Sequence, residues 1–153
     1  MRYTNTTRRL FGREDGSAQV ELALMVPVLL LLLCGVLDFG RAYYLAQGVA
    51  GAAHAGAEYG AQNPSDTAGM QSAAQIAAPN VTGLTIATPT YGCECANGTS
   101  FSASCSTKPT CSGSNAVYLV SVKASVSYVP WFPWPGLPHT VAISNTAKMR
   151  SAD

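Results

Sequence analysis

The chain has 153 residues, the size of one ordinary domain, and is 48% hydrophobic but only 11% charged, against a usual charged share of about 25%. Its net charge of +1 gives no electrostatic case for nucleic acid. Its apolar content excludes a disordered, highly charged chain, and its sparse charge argues against a free-standing soluble enzyme. Aromatics are 8% of the residues, so the apolar excess lies mostly in Ala, Val and Leu.

Most of that excess sits in one run. Leu22 to Leu37 carries no charged and no strongly polar residue. Extended through Val20 and Phe39, it reaches the roughly 20 residues that cross a bilayer as a helix. Pro27 lies inside the run. A soluble helix tolerates such a proline poorly, but a membrane helix accepts it, with a kink. Arg2, Arg8, Arg9 and Arg13 precede the run, whereas the far side has Arg41 and then no basic residue until Lys108. The positive-inside rule therefore predicts a cytoplasmic N-terminus and an exported remainder. The end of the run has no A-x-A-like site of a removable signal peptide. Leu33 before Cys34 is too large for a lipidation site, so Cys34 reads as a small packing residue.

The entry to the run is Arg13-Glu14-Asp15-Gly16-Ser17-Ala18-Gln19-Val20-Glu21-Leu22. Glu21 is a carboxylate at the start of an uncharged span, which is costly unless it is paired or functional. It stands five residues after Gly16, and this spacing resembles the processing site of type IV prepilins. In that family a peptidase cuts after a glycine on the cytoplasmic side and a glutamate is the fifth residue of the mature chain. The cut would fall between Gly16 and Ser17, with Glu21 fifth; Gly12 would put Ser17 fifth and does not fit. Physically, Gly lets an extended backbone enter a protease cleft. The carboxylate could then pair with a freed amine on a neighbouring subunit. Its plainer role is to favour the helix N-terminus through the macrodipole.

The resemblance reaches further. Gly16 through Ala23, then Pro27-Val28-Leu29-Leu30, Gly35, Asp38-Phe39-Gly40-Arg41-Ala42 and Ala52-Ala53-His54-Ala55-Gly56-Ala57 resemble the N-terminal signature of TadE-like proteins. These are pseudopilins or minor pilins of the tight-adherence (Flp) pilus machinery. The similarity covers about residues 12 to 62. The tail is similar too: a Val-rich strand, an aromatic–proline stretch and a closing strand ending in Met149-Arg150. Leu22 departs from the aromatic usual at that position in major Flp pilins, which favours a minor or pseudopilin role. The resemblance implies a lipid bilayer, other pilin or pseudopilin subunits, the assembly machinery and a prepilin peptidase as partners, and a bacterial inner (cytoplasmic) membrane location.

Past the run the helix is expected to continue to Gln62. Phe39, Tyr43, Ala46, Ala50, Ala53 and Ala57 recur at spacings of four and three, one face of a helix. Gly56 and Gly60, like Ala46 and Ala50, let another backbone come close. The partner surface is either the chain's own globular part or other pilin-like helices. Thr67 to Ala78 reads as a short helix capped by Asp66 or Ser65, and Val81 to Thr90 as a first strand.

Four of the five cysteines, Cys93, Cys95, Cys105 and Cys111, fall in a Gly-, Ser- and Thr-rich stretch read as a loop. Export favours two disulfides. Cys93 and Cys95 are too close to pair with each other, so each joins Cys105 or Cys111, in either of two connectivities. Zinc is the rival, but the spacing is not the usual paired ribbon pattern and no histidine is near. Residues 116 to 129 alternate as a strong strand with Ser121 and Lys123 outward. Pro130, Pro133, Pro135 and Pro138 then forbid regular pairing around Trp131, Phe132 and Trp134. That apolar connection is expected to cap the sheet, lie at a membrane surface or meet a partner. Thr140 to Ser144 reads as a last strand pairing with the one before.

The predicted fold is α+β: a long N-terminal helix, transmembrane and then continuing outside the membrane, followed by a small antiparallel β-sheet domain. The expected segments are a basic cytoplasmic leader (1–16), a membrane helix (17–39, including Leu22, Pro27, Gly35 and Leu37), its extramembrane continuation (40–62) and a small exported domain (63–153) whose Cys-rich loop is 91–113. No catalytic motif occurs, His54 and His139 are far apart, and no cofactor or metal is expected. The alternative to a processed pilin-like component is a single-pass, membrane-anchored binding or adhesion protein that is not processed and enters no filament.

Overall fold

The computed structural model describes residues 15–151 apart from 99, 104 and 106–108, with side chains from residue 18 onward. The arginines of the leader lie outside the described residues. The elements run α1 (Asp15–Gln62), α2 (Thr67–Ala77), β1 (Thr85–Ile86), β2 (Thr90–Cys95), β3 (Phe101–Ser102), β4 (Ala116–Tyr128) and β5 (Val141–Arg150). The chain divides into two compact units at the bond between Leu37 and Asp38.

The described part of the first unit is helix. Its leucines have exposed side chains: Leu24 is 71% exposed and Leu37 50%. The helix runs through Pro27, whose missing N–H leaves the Ala23 carbonyl without its usual partner. By length and composition α1 can cross a membrane.

In the second unit, residues 38–62 of α1 and the whole of α2 pack on one five-stranded antiparallel sheet. The central strand is β4. On one side β5 pairs along Leu119–Tyr128; on the other, β2 pairs Ala116–Ser121 and β1 pairs Ala124–Ser125, with β3 outside β2. The alternation in β4 buries Val120, Val122, Ala124, Val126 and Tyr128 and leaves Lys123 exposed. The buried row meets Val49, Ala52, Ala53 and Ala57 of α1 and Met70 and Ala74 of α2. Asp66 caps α2, accepting from the Gly69 N–H at 2.9 Å and the Tyr59 hydroxyl at 2.8 Å. Those two bonds hold its carboxyl below the usual carboxylate range.

Three local expectations differ from the structure. The stretch from Val81 to Thr90 is a strand only at Thr85–Ile86: Gly83 turns the chain at a φ of 78°, and Pro89 has no N–H for a ladder. The Cys-rich stretch is not a plain loop, because it opens with β2, whose Cys93 and Cys95 share one buried face. The last strand does not stop at Ser144 but runs on to Arg150, the end that the similarity of the tail implied, since polar Ser144, Asn145 and Thr146 are acceptable on an exposed edge strand.

The covered face of α1 is also turned by about one residue. Asp38, Val49, Ala52, Gly56 and Gly60 are buried along with Ala53 and Ala57, whereas Phe39 is 70% and Tyr43 68% exposed. The reason is close approach. A Cβ at Gly60 would lie 2.6 Å from Val120 Cγ1 and 2.8 Å from Met70 Sδ, and one at Gly56 3.1 Å from Val122 Cγ1. Only the small-residue face lets β4 come that near, and the aromatics are left outside.

Opposite effects are therefore expected at two glycines of one helix. Gly51 has open space around it, so Gly51→Ala should stabilise by roughly 0.5–1 kcal/mol through backbone entropy. Gly60→Ala should destabilise by about 1–3 kcal/mol through overpacking. Thermal denaturation of the detergent-solubilised chain, followed by circular dichroism, measures both.

Candidate functional site

Asp38 is the only buried charged side chain among the described residues, at 4% exposure. It follows Leu37, the end of the apolar run. A buried carboxylate is expensive unless donors surround it, and the aromatic–proline segment supplies them. Oδ1 accepts from the Tyr128 hydroxyl and from the Trp131 backbone N–H, each at 3.0 Å. Oδ2 accepts from the Trp134 indole N–H at 2.9 Å and from the Phe132 N–H at 3.4 Å. The single Tyr128 proton is shared with the Asp38 carbonyl, 2.9 Å away. Burial first, and then the bond to the Asp38 carboxylate, push the Tyr128 phenol above its ordinary pKa.

Arg41 adds charge from the next helical turn. Its Nη1 is 3.7 Å from Asp38 Oδ1, and its guanidinium lies 3.9 Å from the Trp131 ring centre and 5.5 Å from that of Tyr128. Cation–π attraction thus adds to the ion pair. The prolines explain why the segment can turn to the helix. They remove donors from any ladder, and the amides that remain at Trp131 and Phe132 find their acceptor in Asp38.

Beside this node lies an apolar groove of about 400 Å³, lined by Phe39, Ala42 and Tyr43 of α1 and by Leu137, Val141 and Ile143 beyond the aromatic segment. A second hollow of about 340 Å³ lies within the segment itself and shares Pro130, Trp134 and Leu137 with the first. The Asp38 carboxylate is filled with donors, so the node is a clasp, not a free base. No group of three or more metal-ligating side chains occurs among the described residues.

The other residues singled out in the sequence fall elsewhere. Gly16 and Ser17 lie in the first turn of α1, where side chains are not described, and Glu21 is exposed on that helix. Leu22 and Leu37 are exposed, as is Pro27, while Gly35 is half-buried. Tyr43 lines the groove; Ala46 and Ala50 are half-buried; Ala53, Gly56 and Gly60 are under the sheet. The cysteines form two disulfides, Cys93–Cys105 and Cys95–Cys111, with Cα separations of 5.3 and 5.5 Å. The register supplies the pairing. Cys93 sits opposite Ser102, three residues before Cys105, while Cys95 sits opposite Ala116, just beyond Cys111. Trp134 is half-buried; Trp131 and Phe132 keep exposed rings. Asp38 was visible in the sequence only as part of the helix exit, and its partners lie some ninety residues away.

Among the described residues one helix is long and apolar enough to cross a membrane, and a small disulfide-bonded sheet follows it, which is the layout of a single-pass membrane protein. Residues 16–58 match the family model of the TadE-like proteins, so the N-terminal part of the chain is TadE-like. The match spans the Gly16–Glu21 segment and ends inside α1, before the sheet begins. No curated protein and no solved structure matches.

Removing the Tyr128 hydroxyl tests the clasp. Tyr128→Phe should destabilise the second unit by about 1–2 kcal/mol, because a buried acceptor loses a donor. Tyr43→Phe, at an exposed ring, should change stability by less than about 0.5 kcal/mol. Denaturant titration of the detergent-solubilised chain distinguishes them.

Proposed function

We propose that this protein is a minor pilin or pseudopilin of a tight-adherence (Flp, type IVb) pilus. It is anchored by residues 17–39 in the bacterial inner membrane and contributes to pilus assembly. The observation that carries the reading is the TadE-like match over residues 16–58, because it begins at the glycine of the prepilin-like cut site and includes Glu21. A prepilin peptidase cuts after Gly16, on the cytoplasmic side where the arginine-rich leader is held. The freed Ser17 amine and the Glu21 carboxylate then pair between neighbouring subunits, which cancels two charges inside the membrane or filament.

The exported part, 63–153, faces the periplasm or the cell exterior, where oxidising conditions maintain the two disulfides. Its role is structural: it primes, caps or decorates a filament together with other pilin-like subunits and the assembly machinery. The exposed leucines of α1 support packing in lipid or among other apolar helices.

The processing step has a direct readout. In cells with the peptidase, the mature N-terminus should be Ser17, and in cells without it the chain should retain the leader. Gly16→Leu should block cleavage and leave membrane insertion unchanged. An intact leader in the presence of an active peptidase contradicts the processed reading and leaves the unprocessed membrane-anchored alternative.

A further inference from the structure

Among the described residues of the second unit, the exposed large apolar side chains are unevenly spread. Phe39, Tyr43, Val129, Trp131, Phe132 and Leu137 line the two adjoining hollows; only Tyr44, Ile76 and Phe101 lie elsewhere. Charge is missing from the same region. No Asp, Glu, Lys or Arg occurs from Ala124 to Ala147, and Arg41 is taken up by Asp38 and the Trp131 ring. A contiguous apolar surface of this kind on a small domain marks a contact.

The level of that surface is set by covalent geometry. Asp38 is bonded to Leu37, so their α-carbons are about 3.8 Å apart. The amides of Trp131 and Phe132 and the indole of Trp134 are hydrogen-bonded to the Asp38 carboxylate. If Leu37 ends the span, these groups lie within the headgroup layer, which is roughly 5–8 Å deep on each side of the hydrocarbon. At that level Trp and Tyr are the favoured side chains, with an apolar body toward the acyl chains and a polar tip in the headgroups.

We propose that this apolar surface docks on the phospholipid bilayer. Trp131 and Phe132 lie among the headgroups, and the apolar groove of Phe39, Tyr43, Leu137 and Ile143 adjoins them. The surface is a second membrane contact, separate from the span, contributed by the aromatic–proline segment. The inference rests on the reading of residues 17–39 as a membrane span.

The protein carries its own probe, because both of its tryptophans lie in this segment. The full chain is reconstituted in phosphatidylcholine vesicles containing lipids brominated either near the headgroup end or near the methyl end of the acyl chain, and tryptophan emission is recorded. Shallow bromines should quench at least about twofold more than deep ones, as expected for interfacial indoles. Leu30→Trp, added to the otherwise native chain, places a further indole mid-span. Its added emission should be quenched by deep bromines. If the added indole is quenched while the native pair is not, the span stands and the docking is overturned, as it would be if a second copy or another part of the chain covered this surface. If the added indole is not quenched either, the span reading falls and the docking falls with it.

Discussion

A carboxylate can be buried only where its charge is met, and much of the second unit's organisation next to the apolar run follows from meeting the charge of Asp38. Four side-chain or backbone donors and one guanidinium converge on it. Three of the donors come from an aromatic–proline segment that cannot pair as a strand. Without the acceptor, the amides of Trp131 and Phe132 would need water, and the Trp134 indole would need another partner. The same bonds fix the end of β4 against the helix through Tyr128. They also set the azimuth of α1, since the residue that must be buried is Asp38 and its neighbour Phe39 is consequently turned out.

From that fixed point the small residues take over. Along α1 the buried positions become Val, Ala and Gly; at Gly60 the contact with α2 and β4 is too close for a side chain, and at Gly56 it is tight. Helix glycines are costly in isolation, and here tertiary contact offsets the cost. The sheet has a thin core of valines and alanines, and the two disulfides tie its far end, where β2 and β3 are short. Small domains with little core gain from such cross-links.

The elements with strong periodicity were legible in the sequence. Alternation marked β4 almost to the residue, Asp66 marked the start of α2, and the uncharged run with its Ala/Gly continuation marked α1. Period-2 burial at Cys93 and Cys95 was hidden by the Gly, Ser and Thr around them, so β2 was read as loop. The pairing of the cysteines depends on strand register, which spacing alone leaves open. The face of α1 was read as a narrow one of small residues for close approach, and Ala53, Gly56, Ala57 and Gly60 are buried; the reading began it at Phe39 and Tyr43, which are turned out where Asp38 is turned in. Asp38 passed as part of the helix exit because its partners are distant in sequence. The available signal was a carboxylate next to an apolar run, together with a later segment whose prolines leave amides and an indole in need of an acceptor.

The clasp itself is tested most directly by hydrogen exchange at the protons that point to Asp38. In the detergent-solubilised chain, the amides of Trp131 and Phe132 and the indole N–H of Trp134 should exchange slowly compared with the Gly136 amide in the same segment. Asp38→Asn should speed all three together, because one acceptor serves them all. Exchange at Trp131, Phe132 and Trp134 that is as fast as at Gly136, or that is unchanged by Asp38→Asn, would contradict the account.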